Sequence, residues 1–220
     1  MMKKILTLIG TVLLSSGCAQ TAYWTMTDDM NPVAKSTSFE MTIPEGWVRT
    51  TQPETWERID IDGELQTVLL ESMAVTYDGL GIHGISVTRR YSETAFPTIK
   101  KKSTANMLPL EAADLYVAEL RKRSGLERLK VLSNKPAKVG GKQAFELVMQ
   151  YKNDDGLRIK IMTYGFVDKT GFYTISYRAP YLYYYDRDHA KFKKLVSSFR
   201  QLKGAFDPPP KIPAWAKLFT

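Results

Sequence analysis

His83 and His189 are the only side chains of this 220-residue chain whose ordinary pKa lies near neutrality, so acid–base chemistry would start from them. His83 stands in Gly81-Ile82-His83-Gly84 ahead of a strand, and His189 falls in the first turn of a final helix. Neither has a neighbouring thiol or the His-Glu-Xaa-Xaa-His spacing that places two imidazoles on one helix face, so both are expected to be ordinary surface histidines. Ser86 and Ser124 lack the Gly-Xaa-Ser-Xaa-Gly context that presents a nucleophilic hydroxyl at a strand-to-helix turn. The pairs Asp60/Asp62, Asp154/Asp155 and Asp186/Asp188 could offer oxygen ligands to a hard cation, but none belongs to a calcium loop with its spaced acids and distal Glu. Turn and cap roles account for them. No catalytic residue, metal site or cofactor is assigned on these residues, and a small hydrolase or metal-dependent activity built on His83 or the acidic pairs is the alternative.

Recognition chemistry is better represented. Residues 164–185 hold nine aromatic side chains and end in Tyr181-Leu182-Tyr183-Tyr184-Tyr185. Tyrosine packs well on half-buried strands, so much of this cluster is expected in the core and at the sheet edge. Three consecutive tyrosines ahead of a helix cannot all point inward, however, and exposed tyrosine anchors interfaces. Arg178, Tyr181, Tyr183, Tyr184, Tyr185 and Arg187 are therefore the candidate partner-binding residues, with the two arginines suited to an acidic partner. Lys100-Lys101-Lys102 and Arg121-Lys122-Arg123 read as solvated faces, or alternatively as a polyanion-binding surface.

The elements that must position these residues follow from periodicity and turn chemistry. Phe39, Met41 and Ile43 alternate with polar residues as one strand face, and Pro44-Glu45-Gly46 turns the chain into Trp47. Strands are predicted over 57–61 and 65–74, joined across Asp62-Gly63, and over 84–91. Residues 92–109 read as a long connection with room for a short helix. A helix is predicted over 110–124, with Pro109 in its first turn and Gly125 at its stop. Strand signal at 130–132 leads through Pro136 and Gly140-Gly141 into an antiparallel meander over 143–152, 157–167 and 172–179. Leu157, Ile159 and Ile161 share one face of its middle strand while Met162, Tyr164 and Phe166 share the other, so the sheet is expected to be covered on both sides. One cover is a last helix carrying Phe192, Leu195, Val196, Phe199 and Leu202, capped by Asp186 or Asp188 and followed by Gly204. Pro208-Pro209-Pro210 opens a C-terminal tail over 204–220.

At the other end, Lys3 and Lys4 precede ten residues from Ile5 to Leu14 that form an apolar h-region, then Ser15, Ser16, Gly17 and Cys18, the only cysteine. That run is too short to span a bilayer, which takes about 20 apolar residues, and no later segment approaches that length. A plain secretory cleavage site would be satisfied by the same small residues. The thiol directly after Gly17 favours lipidation, because Leu14-Ser15-Ser16-Gly17-Cys18 resembles the lipobox of bacterial lipoproteins, with Ser15 where Leu is commonest. The resemblance implies a signal peptide over 1–17, a diacylglyceryl group on Cys18 and a tether over 18–37 ahead of one domain over 38–203. Two acyl chains suffice to hold such a domain on a membrane. In a Gram-negative host Ala19 implies the outer membrane. With Cys18 consumed by lipid no disulfide remains, and packing alone must hold the fold. The net charge of +8, two of it from Lys3 and Lys4, could favour anionic envelope material; no nucleic-acid motif is present, and nucleic acid is not an expected partner.

The segments 39–47 (Phe-Glu-Met-Thr-Ile-Pro-Glu-Gly-Trp), 173–179 (Tyr-Thr-Ile-Ser-Tyr-Arg-Ala) and 192–200 (Phe-Lys-Lys-Leu-Val-Ser-Ser-Phe-Arg) resemble the PsbP-like superfamily. This resemblance implies an α+β fold, an antiparallel β-sheet covered by helices on both faces in an α/β/α sandwich, over about residues 38–203. Trp47 and Phe199 are expected in its core. The superfamily's members bind quite different partners, so no functional residue is carried over. The expectation is a lipid-anchored, non-catalytic binding or assembly module of the envelope, holding a protein or glycan partner, with no oligomeric state implied.

Overall fold

The computed structural model describes residues 24–26, 33–35, 39–44, 47–50, 56–59, 65–74, 82–92, 94–123 and 125–202. Cys18, residues 1–17 read as a signal peptide, the Asp60/Asp62 pair and residues 204–220 read as a tail lie outside the described residues. In chain order the elements are β1 (Trp24–Met26), β2 (Val33–Lys35), β3 (Phe39–Thr42), β4 (Val48–Thr50), β5 (Trp56–Ile59), β6 (Leu65–Ala74), β7 (Gly84–Arg90), α1 (Pro109–Arg121), β8 (Glu127–Val139), β9 (Lys142–Lys152), β10 (Arg158–Asp168), β11 (Gly171–Pro180), α2 (Tyr184–Ser198) and β12 (Arg200–Gln201). The fold is mixed α+β.

Five antiparallel strands in the order β7-β11-β10-β9-β8 make the centre of the larger sheet, which β6, β4 and β1 extend beyond β7, with β5 also paired to β6. A smaller sheet runs β12-β3-β2. Two short turns set the central register. Gly140 and Gly141 both take positive φ, +54° and +79°, the conformation a two-residue hairpin loop of primed type demands, and Val139 then opposes Lys142. Lys169-Thr170 closes the next hairpin, with Asp168 Oδ1 accepting from the Thr170 N–H at 2.8 Å, so that Asp168 opposes Gly171.

Two apolar clusters use alternate residues of the same strands. Ala144, Val148, Met162, Tyr164, Phe166, Tyr173, Ile175 and Tyr177 pack with Phe192, Leu195 and Val196 of α2. Phe145, Leu147, Met149 and Phe172 pack with Ala113, Val117 and Leu120 of α1. Because successive strand residues point to opposite sides, the sheet separates these clusters. Trp47 and Phe199 are each 1% exposed, and Phe199 stacks on Phe39 with ring centroids 5.4 Å apart.

Several elements differ from the sequence expectation. β8 runs thirteen residues straight through Pro136. It is the outermost strand, so the N–H that proline lacks is not required by a further neighbour. α2 stops at Ser198 instead of reaching Leu202, because Phe199 is extended (φ −61°, ψ 130°) and Arg200 and Gln201 pair with Glu40 and Phe39. Neither Asp186 nor Asp188 caps α2: both lie inside the helix, which starts at Tyr184. Between Ser92 and Leu108 the described residues form turns and no helix. Within 18–37, read as a tether, β1 and β2 pair with β4 and β3, whose edges offer unpaired backbone groups.

Candidate functional site

β11 delivers the chain to one end of the sheet at Pro180, and α2 takes it away from Tyr184, so residues 181–183 must reverse direction within three positions. They do so through a γ-turn. The Tyr184 N–H donates to the Leu182 carbonyl at 2.8 Å, and Tyr183 between them has φ 68° and ψ −63°. This turn of positive φ is rare and strained for a residue with a Cβ. Leu182 and Tyr183 stand outward at its tip, 69% and 67% exposed.

The tyrosines around this tip divide by depth. Tyr185 is 3% exposed and belongs to the core, with Tyr177 and Phe192. Tyr184 is half-buried, and its carbonyl accepts from the Tyr177 hydroxyl at 2.9 Å. Burial first, and then the Asp188 carboxylate, push the Tyr177 phenol well above the ordinary tyrosine range. Burial, with Asp186 and Glu146 behind it, does the same to Tyr185. Both phenols stay neutral, and the Tyr177 hydroxyl, donating to the Tyr184 carbonyl, helps to fix the start of α2.

Arg187 joins the exposed tip to the interior. Its guanidinium carbon lies 5.4 Å from the ring centroids of Tyr183 and Tyr184 alike. Its Nε donates to Asp188 Oδ2 at 2.8 Å, and Asp188 is 1% exposed and also faces Lys191 Nζ at 3.6 Å. Arg187 Nη2 reaches His83 Nε2 at 3.4 Å; since a guanidinium only donates, that contact sets the imidazole proton on Nδ1. His83 is 1% exposed and tilted against Tyr184, which corrects the expectation of a surface histidine. It directly precedes β7, and its ring meets Tyr184 and Arg187 at the start of α2.

Arg178 does not join this group. In register it opposes Ile161, on the face that α1 packs, and its charge acts on the Tyr151 phenol there. Burial raises that phenol, with Arg178 acting the other way. The cations that the structure does bring to the tip are Arg158 and Lys160 of β10. Arg158 lies 5.3 Å from the Tyr181 ring centroid, and Lys160 Nζ lies 4.2 Å from that of Tyr185. Beside them an open cleft of about 250 Å³ is lined by Lys152, Gly156, Leu157, Arg158, Pro180, Tyr181 and Leu182. Leu157 is 49% exposed, so the tip presents an apolar strip, Leu157 to Leu182 to Tyr183, bordered by positive charge. Strand parity carries the signal for Arg158 and Lys160: both share the face of Met162, Tyr164 and Phe166.

The remaining candidates lie elsewhere. His189 stacks on Tyr185 and its Nδ1 lies 3.0 Å from the Asp186 carbonyl. Asp154 and Asp155 are exposed in the β9–β10 turn, where Asp155 accepts from Asn153 Nδ2 at 3.2 Å. Among the described residues no three His, Cys, Asp or Glu gather as a metal would need, and no helix is long and apolar enough to cross a membrane.

The sequence matches no protein-family model, and no curated protein matches it. Solved structures to which the chain is similar include the solution structure of cyanobacterial PsbP (CyanoP) from Synechocystis sp. PCC 6803, at 13% identity over 86% of this chain and 99% of that one, with a TM-score of 0.47. LpqN, involved in cell envelope biogenesis of Mycobacterium tuberculosis, is similar at 10% identity over 81% of this chain and 90% of that one, with a TM-score of 0.38. A protein of unknown function from Pseudomonas aeruginosa is similar at 11% identity over 86% and 99%, also with a TM-score of 0.38.

Proposed function

We propose that this protein is a lipid-anchored, non-catalytic binding module of the bacterial envelope, a PsbP-like α/β/α sandwich that holds a protein or glycan partner at the surface around Tyr183. The γ-turn carries this reading. A non-glycine residue in so sparsely populated a conformation costs about 1–3 kcal/mol. Glycine would take the same turn without that cost. A tyrosine that sits there 67% exposed, with Arg187 over its ring, gives little back to folding in return. The side chain instead stands largely open to solvent beside Leu182, as an interface anchor would. Arg158, Arg187 and Lys152 add the charge that would orient an acidic group against this strip. The sandwich architecture is supported by the alternation of the two apolar clusters, and the envelope location by the lipobox ending in Cys18.

The test is site-specific photocrosslinking in the host. A benzophenone side chain at position 183 should give a discrete adduct, absent when the same group is placed at exposed Lys138 on the outer strand. Equal adducts from both positions, or none from position 183, would overturn the assigned surface. Anchoring is read separately: Cys18→Ser should move the protein from the membrane fraction to the soluble one, and its retention on membranes would refute lipidation.

A further inference from the structure

Glu119 is an acid buried to 1% exposure near the end of α1, and it takes no part in the Tyr183 surface. Its Oε2 accepts from the backbone N–H of Thr98 at 3.1 Å and of Ile99 at 3.3 Å, and from the Thr98 hydroxyl. Its Oε1 lies 3.5 Å from Arg123 Nε. Burial works to raise this carboxyl, but the hydrogen bonds from Thr98 and Ile99, aided by Arg123, hold it below the usual glutamate range. One buried carboxylate thus fastens the turn at 98–99 to the last turns of a helix about twenty residues further along the chain. Lys100, Lys101 and Lys102 leave that turn directly and are all exposed. The bonds from the Lys100 N–H to the Phe96 carbonyl and from the Phe96 N–H to the Lys101 carbonyl, each 2.8 Å, define its shape. Arg121 and Lys122 are exposed at the helix end beside it.

We infer that this end of the molecule is a docking surface for the anionic headgroups of a bilayer. Residues 98–102 and 119–130 together carry eight Lys or Arg against two Glu, and the charge of Glu119 is directed inward. The partial negative charge at a helix C-terminus accounts for cations at Arg121–Arg123. It does not account for Lys100–Lys102, which belong to another segment and arrive through the Glu119 contacts. The described clefts are lined elsewhere in the molecule, by Lys152 to Leu182 and by Thr42 to Leu195. Exposed cations spread over a helix end and a turn fit a plane of many weakly held anions better than one enclosed ion. The inference rests on the envelope reading only for how the domain comes to meet a bilayer.

Vesicle flotation tests it on the full chain carrying Cys18→Ser, so that no acyl chain contributes. The readout is the increase in bound protein from neutral phosphatidylcholine vesicles to vesicles with about 30 mol % phosphatidylglycerol; Lys3 and Lys4 add the same increment to every variant, so each variant is compared with the parent. The increase should vanish when salt rises from about 0.05 to 0.5 M. Lys100→Glu, Lys101→Glu, Arg121→Glu and Lys122→Glu together should lower it at least about tenfold, each cation being worth about 1 kcal/mol at such a surface. Reversal of four exposed cations elsewhere, Lys135, Lys138, Lys193 and Lys194 to Glu, should leave most of it. Circular dichroism checks that both variants fold. Thr98→Val, which keeps every charge but loosens the Glu119 contacts, should lower the increase without abolishing it. No increase on anionic vesicles, equal loss from the two quadruple variants, or retention on a heparin column without vesicle binding would each overturn the inference. None of these results depends on the Tyr183 surface or on Cys18, so failure here is separable from failure of the proposed function.

Discussion

Tyr183→Gly and Tyr183→Ala form a pair whose order of stability should be the reverse of the usual one. Both variants lose the same side-chain contacts, the Arg187 guanidinium at 5.4 Å and the edge-on Tyr184 ring at 5.2 Å, so those terms cancel between them. What differs is the backbone at φ 68°, ψ −63°. Alanine keeps a Cβ and with it the strain of about 1–3 kcal/mol; glycine sheds that strain. Against this, glycine carries an entropic disadvantage of about 0.5–1 kcal/mol relative to alanine at ordinary positions. The difference leaves the glycine variant more stable by about 0–2.5 kcal/mol, about 1 kcal/mol at mid-range, and for a domain of this size each kcal/mol moves Tm by about 2–4 °C. Thermal unfolding followed by circular dichroism, repeated as urea titrations, would read this directly. An alanine variant more stable than the glycine one would refute the strained turn and remove the observation on which the binding surface rests. Both variants should lose partner capture to the same degree, because that depends on the ring.

Two further substitutions probe the frame that holds these surfaces. A Cβ on Gly165 would sit 2.3 Å from Cζ of the fully buried Phe145 ring, so Gly165→Ala should lower stability by about 1–3 kcal/mol in urea titrations, and adding Phe145→Leu should recover part of the loss. Glu119 has a folded pKa below its unfolded one, so its contribution is present above the unfolded value and lost as pH falls through the folded value. Glu119→Gln should therefore be less stable than the parent at neutral pH, with the gap in urea midpoint narrowing as pH falls below the ordinary glutamate value of about 4.3; a gap that widened on acidification would contradict the Thr98 and Ile99 contacts.

Much of the sheet is legible in the chain because turn chemistry and side-chain period agree there. The run 65–74, rich in Leu, Val and Thr, reads as a strand by composition, and Gly140-Gly141 and Lys169-Thr170 punctuate the meander at the positions where it turns. The errors fall where tertiary context overrides a local signal. Pro136 argues against a strand until β8 proves to be an edge. The stripe through Leu202 suggests a longer helix, but β3 offers a free edge that draws Arg200 and Gln201 into pairing. Asp188 looks like a cap in sequence and is instead held by Arg187 and Lys191.

The site was legible by residue type and not by face. Asp168 opposite Gly171 fixes Ile161 opposite Arg178 and Lys160 opposite Ala179, so the two-residue turn alone already places Arg178 away from Tyr177 and Tyr185 and brings Arg158 and Lys160 toward them. The groups most suggestive of catalysis in the sequence, His83 and Asp188, are both 1% exposed and both engaged by Arg187, whose guanidinium also lies over Tyr183 and Tyr184. Their chemistry is directed at positioning the turn. What that turn presents outward is an aromatic ring and Leu182, with Leu157 beside them and a border of cations, a composition that can hold a partner. The same division recurs at Glu119, where a buried acid arranges exposed lysines. In both places the buried ionisable group sets the geometry of a surface, and recognition is the role proposed for each.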